Sequence, residues 1–128
     1  MQDYNDSEHT SPVRVLIADD QRVARQGLVA LLSLLPQIEV VGEASNGREV
    51  VEKVAEYHPD VVVLDVQMPT MDGLDAMRFI KQRWPEVRAV VLTMYAGYHR
   101  LAQQAGADAF LLKGATVEEL KTAILGET

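Results

Sequence analysis

The sequence predicts a doubly wound α/β fold: one parallel β-sheet with helices on both faces. Three observations carry this. Five short apolar runs alternate with five segments whose apolar residues recur at helical spacing. The third run, VVVL at 61–64, is apolar at every position, as a central parallel strand covered on both faces requires. The 128 residues contain no internal repeat, so the alternation belongs to one domain.

VRVLIA at 13–18 opens the order as a strand and runs into Asp19-Asp20. QRVARQGLVALLSLL at 21–35 spaces Val23, Gly27, Leu28, Leu31, Leu32 and Leu35 as one helix face, and Pro36 stops it. IEVVGEA at 38–44 is the second strand, followed by the turn Ser45-Asn46-Gly47. REVVEKVAEYH at 48–58 is a helix with Val50, Val51, Val54 and Ala55 inward, ended by Pro59-Asp60. After VVVL comes a loop with Pro69, Asp72 and Gly73, then the helix LDAMRFIKQRW at 74–84, stopped by Pro85. VRAVVL at 87–92 is the fourth strand. A short helix over His99–Gln104 leads to Gly106, and AFLL at 109–112 is the fifth strand. TVEELKTAIL at 116–125 closes as a helix, with Thr116 as N-cap and Glu119 completing a capping box. The domain is expected over 13–126, with a disordered leader at 1–12 and the start of a linker at 127–128.

Composition narrows the function. A formal net charge of -7 disfavours binding to nucleic acid or anionic lipid by this chain alone. The absence of cysteine excludes a disulfide framework, a thiolate metal site and a cysteine nucleophile. Residues 1–12 lack Lys and Arg and have no apolar centre, unlike a signal peptide. No apolar run reaches the roughly 18 residues of a membrane span. A cytoplasmic protein is expected.

In such folds ligands bind beyond the carboxyl ends of the strands. Strand one ends in Asp19-Asp20, strand three in Asp65, strand four in Thr93 and strand five in Lys113. Each alone has a plain reading: a helix cap, a turn, a β-former, a surface lysine. Together they bring three carboxylates, a hydroxyl and an ammonium to one sheet edge. Three clustered carboxylates repel unless a cation compensates them. Oxygen-only ligands favour Mg²⁺ or Mn²⁺ over zinc. With metal and lysine in place, one carboxylate can attack phosphorus, which points to an aspartyl-phosphate site.

Asp-Asp after strand one, VVVLDVQMPTMDG around strand three, VVLT at strand four and AGADAFLLKG at strand five resemble the response-regulator receiver domain (CheY-like) of two-component systems, from about Val13 to Leu125. The resemblance implies a flavodoxin-like sheet of strand order 2-1-3-4-5. It implies Asp65 as phosphoacceptor, Mg²⁺ held directly by Asp20, Asp65 and the Gln67 carbonyl, and Asp19 acting through metal-bound water. It makes Lys113 the partner of the acceptor and then of the phosphoryl group. Thr93 would turn inward, and Phe110 would follow as an aromatic switch. Gly114 after the lysine is similar to the NarL/FixJ group, whose receivers precede a LuxR-type helix-turn-helix domain. The implied partners are a sensor histidine kinase and a second copy, met through the last two strands and helices. The segment from Thr93 to Lys113 is about two residues shorter than the family pattern, a shortening expected in the fourth helix or its leading loop.

Two other functions compete. A Mg²⁺-dependent phosphohydrolase on this fold needs a second acid two residues after the nucleophile, and Gln67 stands there. A phosphorylation-independent interaction module would need no intact acid site. His9, His58 and His99 read as surface residues, and Met68, Met71, Met77 and Met94 as gap fillers. Tyr95 lies at the rim near Thr93, and Trp84 and Tyr98 carry no assigned chemistry.

Overall fold

The computed structural model describes residues 11–127. Most of the expected leader, and Thr128, lie outside the described residues. The strands are β1 (Val13–Ala18), β2 (Ile38–Ala44), β3 (Val61–Leu64), β4 (Arg88–Thr93) and β5 (Ala109–Leu112). They form one parallel sheet of order β2-β1-β3-β4-β5. The helices are α1 (Arg22–Leu32), α2 (Gly47–Tyr57), α3 (Gly73–Arg83), α4 (His99–Ala105) and α5 (Val117–Leu125), with a 3-10 turn at Ala96–Tyr98 before α4.

Strand residues alternate between two cores, as a pleated strand requires. Leu16, Ala18, Val62, Leu64, Ala89 and Val91 face Val50, Val54, Leu74, Met77, Ile80 and Ala102, so α2, α3 and α4 cover one face. Val15, Ile17, Val61, Val63, Val90 and Leu92 face Leu32, Leu120, Ala123 and Ile124, so α1 and α5 cover the other. The chain steps from β1 outward to β2, then back across to β3. This makes the β1/β3 boundary the switch point, where the strand-end acids emerge.

Several local expectations are corrected. α1 ends at Leu32 rather than Leu35. Leu34 N–H and Leu35 N–H donate to the carbonyls of Leu31 and Leu32, a tightened exit that precedes the backbone restriction imposed by Pro36. Val23 is 86% exposed, because α1 packs through Leu28, Val29, Leu31 and Leu32, further along the helix. Ala55 is exposed, since Val50 and Val54 already define the buried stripe of α2. Met94 fills no gap and lies largely in solvent, whereas Met68 and Met77 are buried. Asn46 and Asp72 are N-caps and not only turn residues: their side chains accept from Glu49 N–H and Asp75 N–H. The Thr116–Glu119 capping box forms as expected. α4 has seven residues against eleven in each of α1, α2 and α3, so the segment between Thr93 and Lys113 holds the shortest helix.

Candidate functional site

β1, β3 and β5 deliver Asp19, Asp65 and Lys113 to one point. Lys113 Nζ donates to Asp19 Oδ2 at 2.7 Å and lies 2.9 Å from Asp65 Oδ2. Both carboxylates are buried, at 6% and 7% exposure for the residues. Asp19 is fixed from a second side, where Gln21 N–H donates to Oδ1 at 2.9 Å. Burial alone would lower the Lys113 pKa. The hydrogen bonds and charges of Asp19 and Asp65 outweigh it and hold the pKa above the ordinary lysine value. This stabilisation is fully present below the ordinary lysine range and is lost only as pH rises through the raised value. Lys113 is therefore charged at neutral pH.

Lys113→Ala leaves two buried carboxylates without their shared cation. The expected loss is about 2 kcal/mol, reduced from the fully buried case because the site opens at the sheet edge. Urea unfolding checks it, and an unchanged midpoint would show that water replaces the ammonium at no cost.

Asp20 is exposed and makes no ion pair among the described residues. Thr93 ends β4 and is fully buried, and its Oγ1 has no hydrogen-bond partner. An unpartnered buried hydroxyl costs free energy, so the position favours a ligand oxygen that can accept from it. Gln67 N–H approaches Asp65 Oδ1 at 3.4 Å, a long contact, and Gln67 Nε2 donates to the Tyr98 hydroxyl at 2.9 Å. Phe110 is half-buried on β5, and the exposed His99 ring stacks on it at 4.7 Å and 12°. His58 is exposed as expected, and His9 lies outside the described residues.

The donor set suits a hard divalent ion. Two buried carboxylates, Asp19 and Asp65, share one ammonium, which leaves one negative charge unmatched, and Asp20 adds an exposed carboxylate next in sequence to Asp19. Among the described residues no three His, Cys, Asp or Glu side chains are grouped to hold an ion among themselves. A fit therefore needs a backbone carbonyl or water to complete the set.

Sequence reasoning missed three supports of this edge. The Arg25 guanidinium donates to the Asp19 carbonyl at 2.7 Å and to Glu43 Oε1 at 2.9 Å, tying α1 and β2 to the β1 terminus. An arginine in the first turn after Asp19-Asp20 was the available signal. Gly73 packs against the Asp65 backbone: a Cβ there would stand 1.9 Å from the Asp65 carbonyl oxygen. Its signal was the Asp72-Gly73 pair. Thr70 holds φ 71° with Met71 N–H donating to the Pro69 carbonyl, a strained γ-turn in the loop after the acid. No sequence signal marks a β-branched residue there.

The family profile described as response regulator receiver domain matches residues 15–125. A transcriptional regulatory protein of Bacillus subtilis, YhcZ, is 41% identical over 110 residues, which are 84% of this chain and 51% of that one. LiaR of the same organism is 39% identical over 114 residues, covering 88% and 53%. The chain spans about half the length of the curated relatives it matches. Among solved structures, the receiver domain of a NarL response regulator from Mycobacterium tuberculosis superposes with a TM-score of 0.86 at 34% identity, covering 91% of this chain and 96% of that one. A LuxR-family DNA-binding response regulator from Staphylococcus aureus gives 0.83 at 32%, covering 89% and 97%. A five-stranded sheet of order 2-1-3-4-5, acids at its switch point and a profile that fills nearly the whole fold make one assignment: this chain belongs to the response regulator receiver domain family, in its LuxR/NarL-type branch.

Proposed function

We propose that Asp65 accepts a phosphoryl group from the phosphohistidine of a sensor histidine kinase, in a Mg²⁺-dependent (or Mn²⁺-dependent) reaction. The observation that carries this reading is Asp65 held on Lys113 at the end of β3 while Thr93, at the end of β4, presents a buried hydroxyl with no partner. One Asp65 carboxylate oxygen forms a bond to phosphorus as the bond from phosphorus to the donor histidine nitrogen breaks. Lys113, charged at neutral pH, pairs with the acceptor and then with a phosphoryl oxygen. Thr93 Oγ1 donates to another, which satisfies its orphaned hydroxyl. Asp20, Asp65 and the Gln67 carbonyl would hold the metal, with Asp19 acting through water. When bound, Mg²⁺ neutralises the carboxylates and the charge that develops on the phosphoryl oxygens.

The output is a changed surface and not a released product, so the domain is a switch rather than a turnover enzyme. Thr93 moves toward the phosphoryl group, and Phe110 fills the space it leaves. The face of β4, β5, α4 and α5 then favours a homodimer, and Tyr95, Leu101 and Leu112 already expose apolar surface on these elements and the turn before α4. In the cytoplasm this would regulate transcription through a helix-turn-helix domain of a longer protein, the receiver unit being residues 13–126. Among the described residues no helix is long and apolar enough to cross a membrane.

Intact-mass analysis with acetyl phosphate tests the reading. One phosphoryl adduct is expected with Mg²⁺ and none in excess EDTA. Mg²⁺ should also raise Tm, and Asp20→Ala should remove that shift. A metal shift unchanged in Asp20→Ala would place the ion elsewhere, and sustained turnover of a generic phosphate ester would favour a phosphohydrolase.

A further inference from the structure

The hydrogen bond from Gln67 Nε2 to the Tyr98 hydroxyl joins the loop after β3 to the turn before α4. It is the continuation of the contact between Gln67 N–H and Asp65 Oδ1. Gln67 thus touches the acceptor with its backbone and Tyr98 with its side chain. Asp65 is buried while Gln67, two residues on, is exposed, so the Gln67 that contacts the acceptor is itself open to solvent. The Tyr98 hydroxyl is not on a free side chain. Tyr98 N–H donates to the Tyr95 carbonyl at 3.2 Å within the 3-10 turn. The Tyr95 ring meets the Tyr98 ring edge-on at 6.3 Å, and Tyr98 packs against the core shared by α2, α3 and α4. A packed hydroxyl restrains an exposed amide more than the reverse, because the entropy cost of ordering Tyr98 is already met by its packing.

We propose that Tyr98 is a positioning residue for phosphoryl transfer at Asp65: through Gln67 it latches the entrance to the acceptor and limits the access of small phosphodonors and water. This rests on Asp65 being the acceptor. Uptake from acetyl phosphate forms a bond from an Asp65 oxygen to phosphorus and releases acetate. Loss forms a bond from a water oxygen to phosphorus, frees the Asp65 carboxylate, releases inorganic phosphate and passes the water's proton to solvent. Both steps need a small molecule to pass Gln67, so opening the latch accelerates both. A change that merely loosened the fold would lower Tm and misalign the site, which slows uptake.

Tyr98→Phe keeps the ring and deletes the bond. With Mg²⁺ present, the rate of uptake from acetyl phosphate and the rate of phosphoryl loss after donor removal should both rise about two- to fivefold, the scale of one exposed hydrogen bond. Gln67→Ala should match it, and the double variant should show no further rise, since both changes remove the same contact. Tm should stay within about 1–2 °C of the parent. If the parent protein takes up phosphate and Tyr98→Phe leaves both rates unchanged or lowers them, the latch is overturned while the acceptor stands. Additive effects in the double variant would overturn it equally. If the parent takes up no phosphate at all, it is the acceptor assignment that fails.

Discussion

Asp65→Asn is expected to abolish phosphoryl uptake from acetyl phosphate or a partner kinase, leaving no adduct by intact mass. The amide keeps the size and most of the packing of the carboxylate but removes its negative charge and its nucleophilicity toward phosphorus. The effect is total because no neighbour can substitute. Asp19 is committed to Lys113 and to Gln21 N–H, and Asp20 is exposed, outside the pair that Lys113 binds. The fold should survive. One of the two carboxylates on Lys113 becomes neutral, which removes an ion pair but also relieves the repulsion between Asp19 and Asp65. A full-occupancy adduct on the folded variant would move the acceptor to another residue, and peptide mapping would locate it.

Gly73→Ala should cause a large loss of stability. Gly73 begins α3, and helix propensity by itself favours alanine by up to about 1 kcal/mol. Sterics decide the opposite sign. The added Cβ would meet the Asp65 carbonyl oxygen at 1.9 Å and the Asp65 carbonyl carbon at 2.9 Å, both backbone atoms. Gly73 N–H also donates to the Val66 carbonyl at 2.8 Å, so α3 cannot retreat without breaking the closure of the loop that follows Asp65. A net loss of roughly 3 kcal/mol is expected, a Tm fall on the order of 10 °C. Phosphoryl uptake should fall with it, because any relief shifts the backbone that carries Asp65. Gly27→Ala provides the contrast. It lies within α1 with nothing within 4 Å of its added Cβ, and should be neutral or slightly stabilising. Equal Tm values for the two variants would contradict the close approach at Gly73.

The sequence by itself determined the layers and which side chains lie at the ends of the strands. Alternation of apolar runs with helical spacing depends on periods of 2.0 and 3.6, which are local properties, so β1 to β5 and the main helices were readable to within a few residues. The positions of Asp19, Asp20, Asp65, Thr93 and Lys113 were readable for the same reason: each lies at or within two residues of the end of an apolar run, and parallel strands carry their ends to one side. The tertiary structure alone decided which of these residues touch. Lys113 is 94 residues from Asp19 and meets it only because β5 and β1 bring their ends to the same sheet edge, and nothing in the sequence shows that Asp19 shares that lysine with Asp65 while Asp20 remains in solvent. Helix faces failed where packing ends. Val23 and Met94 carry the residue types of a core yet have no layer above them. The bond between Gln67 and Tyr98, the stack of His99 on Phe110 and the approach of Gly73 to Asp65 each join segments far apart in the chain or bend a loop back on itself. Spacing along a chain encodes local conformation, whereas such contacts depend on how completed elements dock, and that docking gave this edge its geometry.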